Sequence, residues 1–259
     1  MKLIQSRDNP FFKELLKIAT TARERRKTGK TLLDGSHLVA SLLDAGYKPL
    51  HVLLDASAEV DAGIMDRLHG IPVTQLDRRL FAALSELKTT TGMLALIEVP
   101  KAEAVPSRFA LLLEDIQDPG NLGSIIRSGA AAGSDAIFLS PGCADAWSPR
   151  VLRAAMGGHF YTGIHEGQDL PRVAAAFQGM RVATSLEAAQ NLYECDLSGN
   201  VAFMIGNEGA GLSDRLLALA THAVRIPMPG GVESLNAAAA TAVCLFEAVR
   251  QRLMTGRSE

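Results

Sequence analysis

The chain has 259 residues, 47% of them hydrophobic and 21% charged, and a net charge of -2. That length accommodates one large α/β domain, or a small domain joined to a medium one, and buries a real core either way. With 34 Pro and Gly residues, no apolar run near the roughly 18 needed to cross a bilayer and no signal-peptide stretch, the composition excludes disorder and a membrane span and implies a cytoplasmic address.

The leader is where the charge is uneven. Residues 1–30 hold nine cations (Lys2, Arg7, Lys13, Lys17, Arg23, Arg25, Arg26, Lys27, Lys30) against Asp8, Glu14 and Glu24, a local +6 that leaves -8 on the remainder. A clustered basic segment is the footprint that a phosphate backbone selects, because each neutralised phosphate releases counterions. A solvated amphipathic helix would carry the same residues. The next elements alternate: a strand over 31–34, a helix over 36–45 capped by Ser36 and stopped by Gly46, a strand over 51–55, a helix over 58–69, an extended segment at 72–76, a helix over 78–87 and a strand over 93–99. The stretch 99–107, VPKAEAVPS, has two prolines and no hydrophobic period. It is read as a linker, with the domain boundary inside it.

Beyond the linker three glycine-bearing segments follow apolar strands. In an open parallel sheet, the edge where such strands end is where ligands bind. The first, 111–127, reads LLLEDIQDPGNLGSIIR: a strand over 109–113 breaks at Pro119 and Gly120, Asn121 is placed to cap a helix over 122–132, and Arg127 lies about two turns in. By itself this is as much an ordinary cap with a surface arginine as a site. A strand over 136–140 completes a βαβ unit, which expects a right-handed parallel crossover. After a strand over 181–184 comes the second segment, 201–213, VAFMIGNEGAGLS, in which the strand 201–205 runs into Gly206, Gly209 and Gly211. Backbone there approaches a ligand closely, or simply turns. The order GxxGxG late in the chain is not the dinucleotide fingerprint GxGxxG, so a nicotinamide-dependent dehydrogenase is a weak alternative. The third, 224–240, VRIPMPGGVESLNAAAA, passes through a Pro-Gly-Gly turn into an alanine-rich helix expected over 235–253, with Ser234 as its cap and Leu235, Ala239, Ala242, Phe246, Val249 and Leu253 on one apolar face. A well-capped core helix has the same look. Cys143, Cys195 and Cys244 are dispersed and read as buried thiols, and the six histidines show no ligand spacing, so no disulfide and no metal are expected.

In this order and spacing the three segments resemble the signature motifs of the SpoU or TrmH family of SPOUT RNA methyltransferases over residues 109–253, and the run IPMPGGVESLNAAAATAVCLFEAVRQR is similar to the family's last motif over nearly its whole length. The N-terminal half resembles the substrate-binding domain of ribosomal RNA members in Asn9-Pro10 and in Leu33 to His37, with two departures: Asp34 where Glu is usual, and Thr90-Thr91-Gly92 in place of Pro-Gln-Gly. The resemblance implies an α/β fold with a SPOUT domain over 107–259, built on a parallel sheet with a deep trefoil knot, and a smaller ribosomal protein L30e-like domain over 1–100 for RNA. It implies S-adenosylmethionine as methyl donor, held by Gly206, Asn207, Gly209, Gly211, Ile226, Met228, Leu235, Asn236 and Ala237. It also implies 2'-O-ribose methylation carried by Arg127, Asn121, Glu208, Ser234 and Asn236, and a homodimer to which the last helix lends an apolar face. Ribosomal RNA is the expected substrate; transfer RNA, or a non-catalytic RNA-binding homologue, are the alternatives.

Overall fold

A computed structural model describes residues 2–59, 61–87, 91–103 and 107–256. In chain order the first elements are β1 (Lys2–Ile4), α1 (Pro10–Thr20), α2 (Ala22–Thr28), β2 (Lys30–Asp34), α3 (Ser36–Asp44), β3 (His51–Asp55), α4 (Ala62–Arg67), β4 (Val73–Leu76), α5 (Arg78–Leu84) and β5 (Met93–Glu98). They are followed by β6 (Phe109–Leu113), α6 (Pro119–Ala131), β7 (Ala136–Leu139), α7 (Pro149–Ala155), β8 (Gly163–His165), α8 (Leu170–Ala176), β9 (Met180–Thr184), β10 (Gln190–Asn191), β11 (Val201–Ile205), α9 (Asp214–Leu217), β12 (His222–Arg225) and α10 (Ala237–Thr255). Contacts group the chain into two units, Met1–Pro100 with Trp147–Phe160, and Lys101–Ala146 with Tyr161–Glu259.

In the first unit the sheet order is β1-β4-β3-β5-β2, with β5 antiparallel to both neighbours. The leader is structured. Asn9 Oδ1 accepts from the Phe11 and Phe12 amides and Pro10 takes a first-turn position that needs no amide donor, so α1 starts there. Its face Phe12, Leu15, Ile18 and Ala19 is buried with Leu32, Phe81 and Leu94. One of the nine leader cations serves the fold: Arg25 is buried, and its Nη1 donates to the Ile18 and Ala19 carbonyls at 2.6 and 3.0 Å, satisfying the open C-terminal end of α1. Lys13 and Lys30 pair with Asp8 and Glu14. The expected cap at Ser36 is not formed; Gly35, at φ 115°, occupies the cap position and Ser36 is the first helical residue. The excursion Trp147–Phe160 joins this unit, with α7 against β2 and the Thr31 hydroxyl donating to the Trp147 carbonyl at 2.7 Å, both residues buried. Of the two departures from the family pattern, Asp34 is buried at the end of β2, where it accepts from the Ser85 hydroxyl at 2.6 Å; burial raises its carboxyl above the usual carboxylate range. Thr90 lies outside the described residues. Gly92 has φ 80°, and a Cβ there would meet that of Ala58.

In the second unit seven strands, all parallel, run in the order β10-β12-β9-β11-β6-β7-β8. The central strand β11, VAFMI, and its neighbour β6, FALLL, are buried at every position, as strands covered on both faces must be. Their register pairs Phe109 with Val201 and Leu113 with Ile205, so the loops after β6 and β11 leave the sheet side by side. Helix boundaries shift from the expected ones. Asp118, not Asn121, caps α6: its side chain accepts from the Asn121 amide, and Pro119 and Gly120 lie inside the helix. Asn236, not Ser234, caps α10 by accepting from the Ala238 and Ala239 amides, so Leu235 precedes the helix. The expected apolar face of this helix is not the packed one. Ala238, Thr241, Cys244, Leu245 and Ala248 are buried, whereas Phe246 and Leu253 are exposed. The three cysteines are free; Cys195 and Cys244 are buried, Cys143 only partly.

Candidate active site

The carboxyl ends of β9, β11 and β12 surround a cavity of about 440 Å³ closed by the segment leading into α10. Parallel strands place all these ends on one edge, and this is why segments far apart in sequence meet there. Gly206, Asn207, Glu208, Gly209 and Gly211 form one wall, Ile226 and Met228 a second, and Ser234, Leu235 and Ala237 a third. Gly206 is required by space, since a Cβ would overlap the backbone of Gly211 and Leu212. Gly211 is required by its φ of 70°, while nothing crowds a Cβ at Gly209.

Beside the cavity the three segments are joined by side chains. Asn236 Nδ2 donates to Asn121 Oδ1 at 2.8 Å, and Asn121 Nδ2 donates to Glu208 Oε1 at 2.5 Å. The same Asn236 side chain caps α10 through its oxygen, so its amide has both ends committed. Of the expected donor-binding residues, Asn236 alone does not line the cavity; of the expected reaction residues, Glu208 and Ser234 line it, and Asn121 and Asn236 stand beside it. Arg127 is exposed on α6, six residues past Asn121, which is about 9 Å along the axis. Its guanidinium has no ion pair among the described residues.

The sequence reading missed a fourth wall: Thr184 at the end of β9, and Ser185, Leu186 and Glu187 in the loop that follows. The available signal was positional, since 181–184 reads as a further strand of the same parallel sheet, whose end falls on the ligand-binding edge. Among the described residues no group of three or more His, Cys, Asp or Glu is placed to hold a metal ion, and no helix is long and apolar enough to cross a membrane.

The lining suits S-adenosylmethionine. Gly206, Ile226, Leu235 and Ala237 offer close backbone and flat apolar contacts to a purine, the turns expose amides and carbonyls for its edge and hydroxyls, and the carboxylates Glu187 and Glu208 suit a cationic ligand.

Fold and site together define a methyltransferase with a parallel α/β core. Residues 108–246 match the SpoU rRNA methylase family, and 9–95 match the MRM3-like substrate-binding domain. The chain belongs to the SpoU rRNA methylase family, and is an S-adenosylmethionine-dependent RNA 2'-O-ribose methyltransferase. It is 33% identical to the 23S rRNA (guanosine(2553)-2'-O)-methyltransferase of Bacillus subtilis, over 95% of this chain and 98% of that one. It is 29% identical to the human mitochondrial rRNA methyltransferase 3, over 91% of this chain and 70% of that one. Among solved structures, the SpoU methyltransferase AviRb of Streptomyces viridochromogenes in complex with AdoMet superposes with a TM-score of 0.83 at 27% identity, over 95% of this chain and 98% of that one.

Proposed function

We propose that this protein methylates a ribose 2'-hydroxyl in ribosomal RNA, and that Asn121, Arg127, Glu208, Ser234 and Asn236 carry the reaction. The observation behind the residue assignment is the hydrogen-bonded chain Asn236–Asn121–Glu208, which links all three glycine-bearing segments beside one cavity. Ribosomal RNA is favoured by the substrate-binding domain matched over 9–95 and by the activity named for the Bacillus relative. On this reading residues 1–100 bind RNA and 107–259 house the chemistry.

When bound, the donor supplies an electrophilic methyl on a sulfonium centre; the protein has to orient a hydroxyl and stabilise the charge that develops as its oxygen takes the methyl and its proton passes to water. Asn121 has its carbonyl held by Asn236 and its amide by Glu208, so its orientation is fixed before RNA arrives. Glu208 spends one oxygen on Asn121 and offers the other to the ribose hydroxyl. Ser234, on the cavity wall, offers a second polar contact to the same group. Arg127 binds the target phosphate and the developing alkoxide. It acts as a cation and not as a base, because a guanidinium does not give up its proton in a protein.

The same reading includes a homodimer joined in part through the outward face of α10, where Phe246 is 48% and Leu253 64% exposed. It includes the trefoil knot as well, which the family resemblance implies for the segment that ends in α10. Tritium transfer from labelled S-adenosylmethionine to ribosomal RNA from cells lacking this protein tests the activity. Arg127→Ala should lower that transfer at least about 10³-fold while leaving the calorimetric Kd for the donor within about two-fold; undiminished transfer removes Arg127 from the mechanism.

A further inference from the structure

Beyond the residues that line the cavity, the donor loop 206–213 is held from outside, at both ends, by two consecutive acidic residues. Glu114 immediately follows β6 and extends the sheet by one bond, its amide donating to the Ile205 carbonyl at 2.9 Å. Its carboxylate accepts twice from Ser213 at the far end of the loop, from the amide at 2.7 Å and from the hydroxyl at 2.8 Å. Ser213 in turn caps α9. Asp115 holds the near end: its carbonyl accepts from Asn207 Nδ2 at 2.9 Å.

Asp115 is itself pinned. It adopts φ 55°, a left-handed conformation that aspartate tolerates better than most residues. Its amide donates to Ser140 Oγ at 2.9 Å and its carboxylate accepts from that hydroxyl at 2.6 Å. A Cβ at Gly142 would collide with the Asp115 carboxylate, so the turn after β7 closes on it only through glycine. Inside the loop the Asn207 side-chain oxygen accepts from the Gly209 and Ala210 amides at 2.9 and 3.1 Å, and the Gly211 amide donates to the Asn207 carbonyl at 2.9 Å. Both ends of the Asn207 side chain are therefore used within the protein. What it presents to the cavity is backbone.

We propose that Glu114 and Asp115 are positioning residues that set the shape of the donor loop before S-adenosylmethionine binds, Glu114 through Ser213 and Asp115 through Asn207. Neither carboxylate lines the cavity, yet Glu208, the link to Asn121, rides on the segment they hold. The proposal rests on the loop being the donor site. A free loop of this glycine content samples many conformations, and fixing it in advance removes that cost from binding.

Calorimetry of the full chain with S-adenosylmethionine, together with amide hydrogen exchange in its absence, tests the proposal. Glu114→Ala removes both acceptors and should weaken binding about ten-fold or more. Glu114→Gln should recover most of that loss, because the amide oxygen still accepts from the Ser213 amide and the serine hydroxyl can turn to accept. Exchange in Glu114→Ala should quicken at residues 207–213 and stay at wild-type rates in β6 and β11, which a general loss of stability would not produce. Ser213→Ala, which leaves Glu114 intact, should give a smaller loss that does not add to that of Glu114→Ala. If wild-type protein binds S-adenosylmethionine and Glu114→Ala and Ser213→Ala both bind it within two-fold of wild type, the positioning role is overturned. If wild-type protein shows no binding heat, it is the donor-site reading that fails. A Glu114→Ala chain that does not fold hands the decision to Ser213→Ala, where local quickening of 207–213 supports the role and unchanged exchange overturns it.

Discussion

The two sheets of this molecule are built from similar α/β units, but only one gathers chemistry at an edge. In the seven-stranded sheet every strand points the same way, so the loops after β6, β9, β11 and β12 all emerge on one side, and residues as distant as Asn121, Glu208 and Asn236 become hydrogen-bond neighbours. In the five-stranded sheet β5 alone is reversed, and it lies between β3 and β2, so the run of like-directed strands is interrupted there. What that unit offers instead is a basic leader folded as two helices. The uninterrupted parallel order is what brings the three glycine-bearing segments of the second unit together.

The sharpest way to break the contrast is at the glycine that permits the convergence. Gly206→Ala drives a methyl group into the Gly211 and Leu212 backbone, and should lower affinity for S-adenosylmethionine by more than about 100-fold. Calorimetry measures this; binding within ten-fold of wild type shows that the loop has room to spare. On the other unit, neighbouring arginines should behave oppositely. Arg25→Ala leaves two helix carbonyls without their donor and should cost about 2–3 kcal/mol in urea unfolding. Joint replacement of Arg23 and Arg26 by Ala should leave stability unchanged and reduce the salt dependence of RNA binding by about 2 in log–log slope. Equal effects on RNA binding from Arg25 and Arg26 would remove the distinction.

Smaller effects sharpen the picture. Asn236→Ala removes the cap of α10 and the anchor of Asn121, and should cost about 1 kcal/mol in stability with a larger proportional loss in methyl transfer. A stability loss with undiminished transfer would make Asn236 a cap alone. Asp34→Asn should have the least effect and the opposite sign. Burial raises the Asp34 pKa in the folded state, so its contribution to stability is complete below the unfolded pKa near 3.8 and is lost as pH rises through the folded value. The amide, which stays neutral and still accepts from Ser85, should therefore raise Tm at pH 7 and leave it close to wild type at pH 3.5. A gain that persists unchanged in acid would trace the effect to something other than ionisation.

How much of this was legible in the sequence depends on how local its cause is. β6 and β11 match their expected limits because continuous buried runs such as FALLL and VAFMI need no partner to be recognised. Helix starts were misplaced wherever several capping side chains compete within three residues. Asp118 prevails over Asn121 with Pro119 behind it, and Asn236 over Ser234 because the Pro-Gly-Gly turn holds the chain open longer. The two-residue β10 and three-residue β1 and β8 carry too little periodicity to stand out. In the site, the glycine loop and the Ile226 to Ala237 wall could be anticipated from motif order. The wall at Thr184 to Glu187 and the grip of Glu114 on Ser213 depend on which strands lie side by side, and local pattern does not encode that.

The excursion Trp147–Phe160 bears on how this chain can be taken apart. The buried Thr31 hydroxyl finds its acceptor on Trp147, and Gly157 nestles against Ser41 where any larger residue would clash. A fragment ending at residue 100 would strip a helix from the flank of β2 and strand that hydroxyl. The amino-terminal half is therefore no detachable bead: transplanting it onto another enzyme would require carrying along a short piece encoded some fifty residues downstream, within the other half's own stretch of the gene.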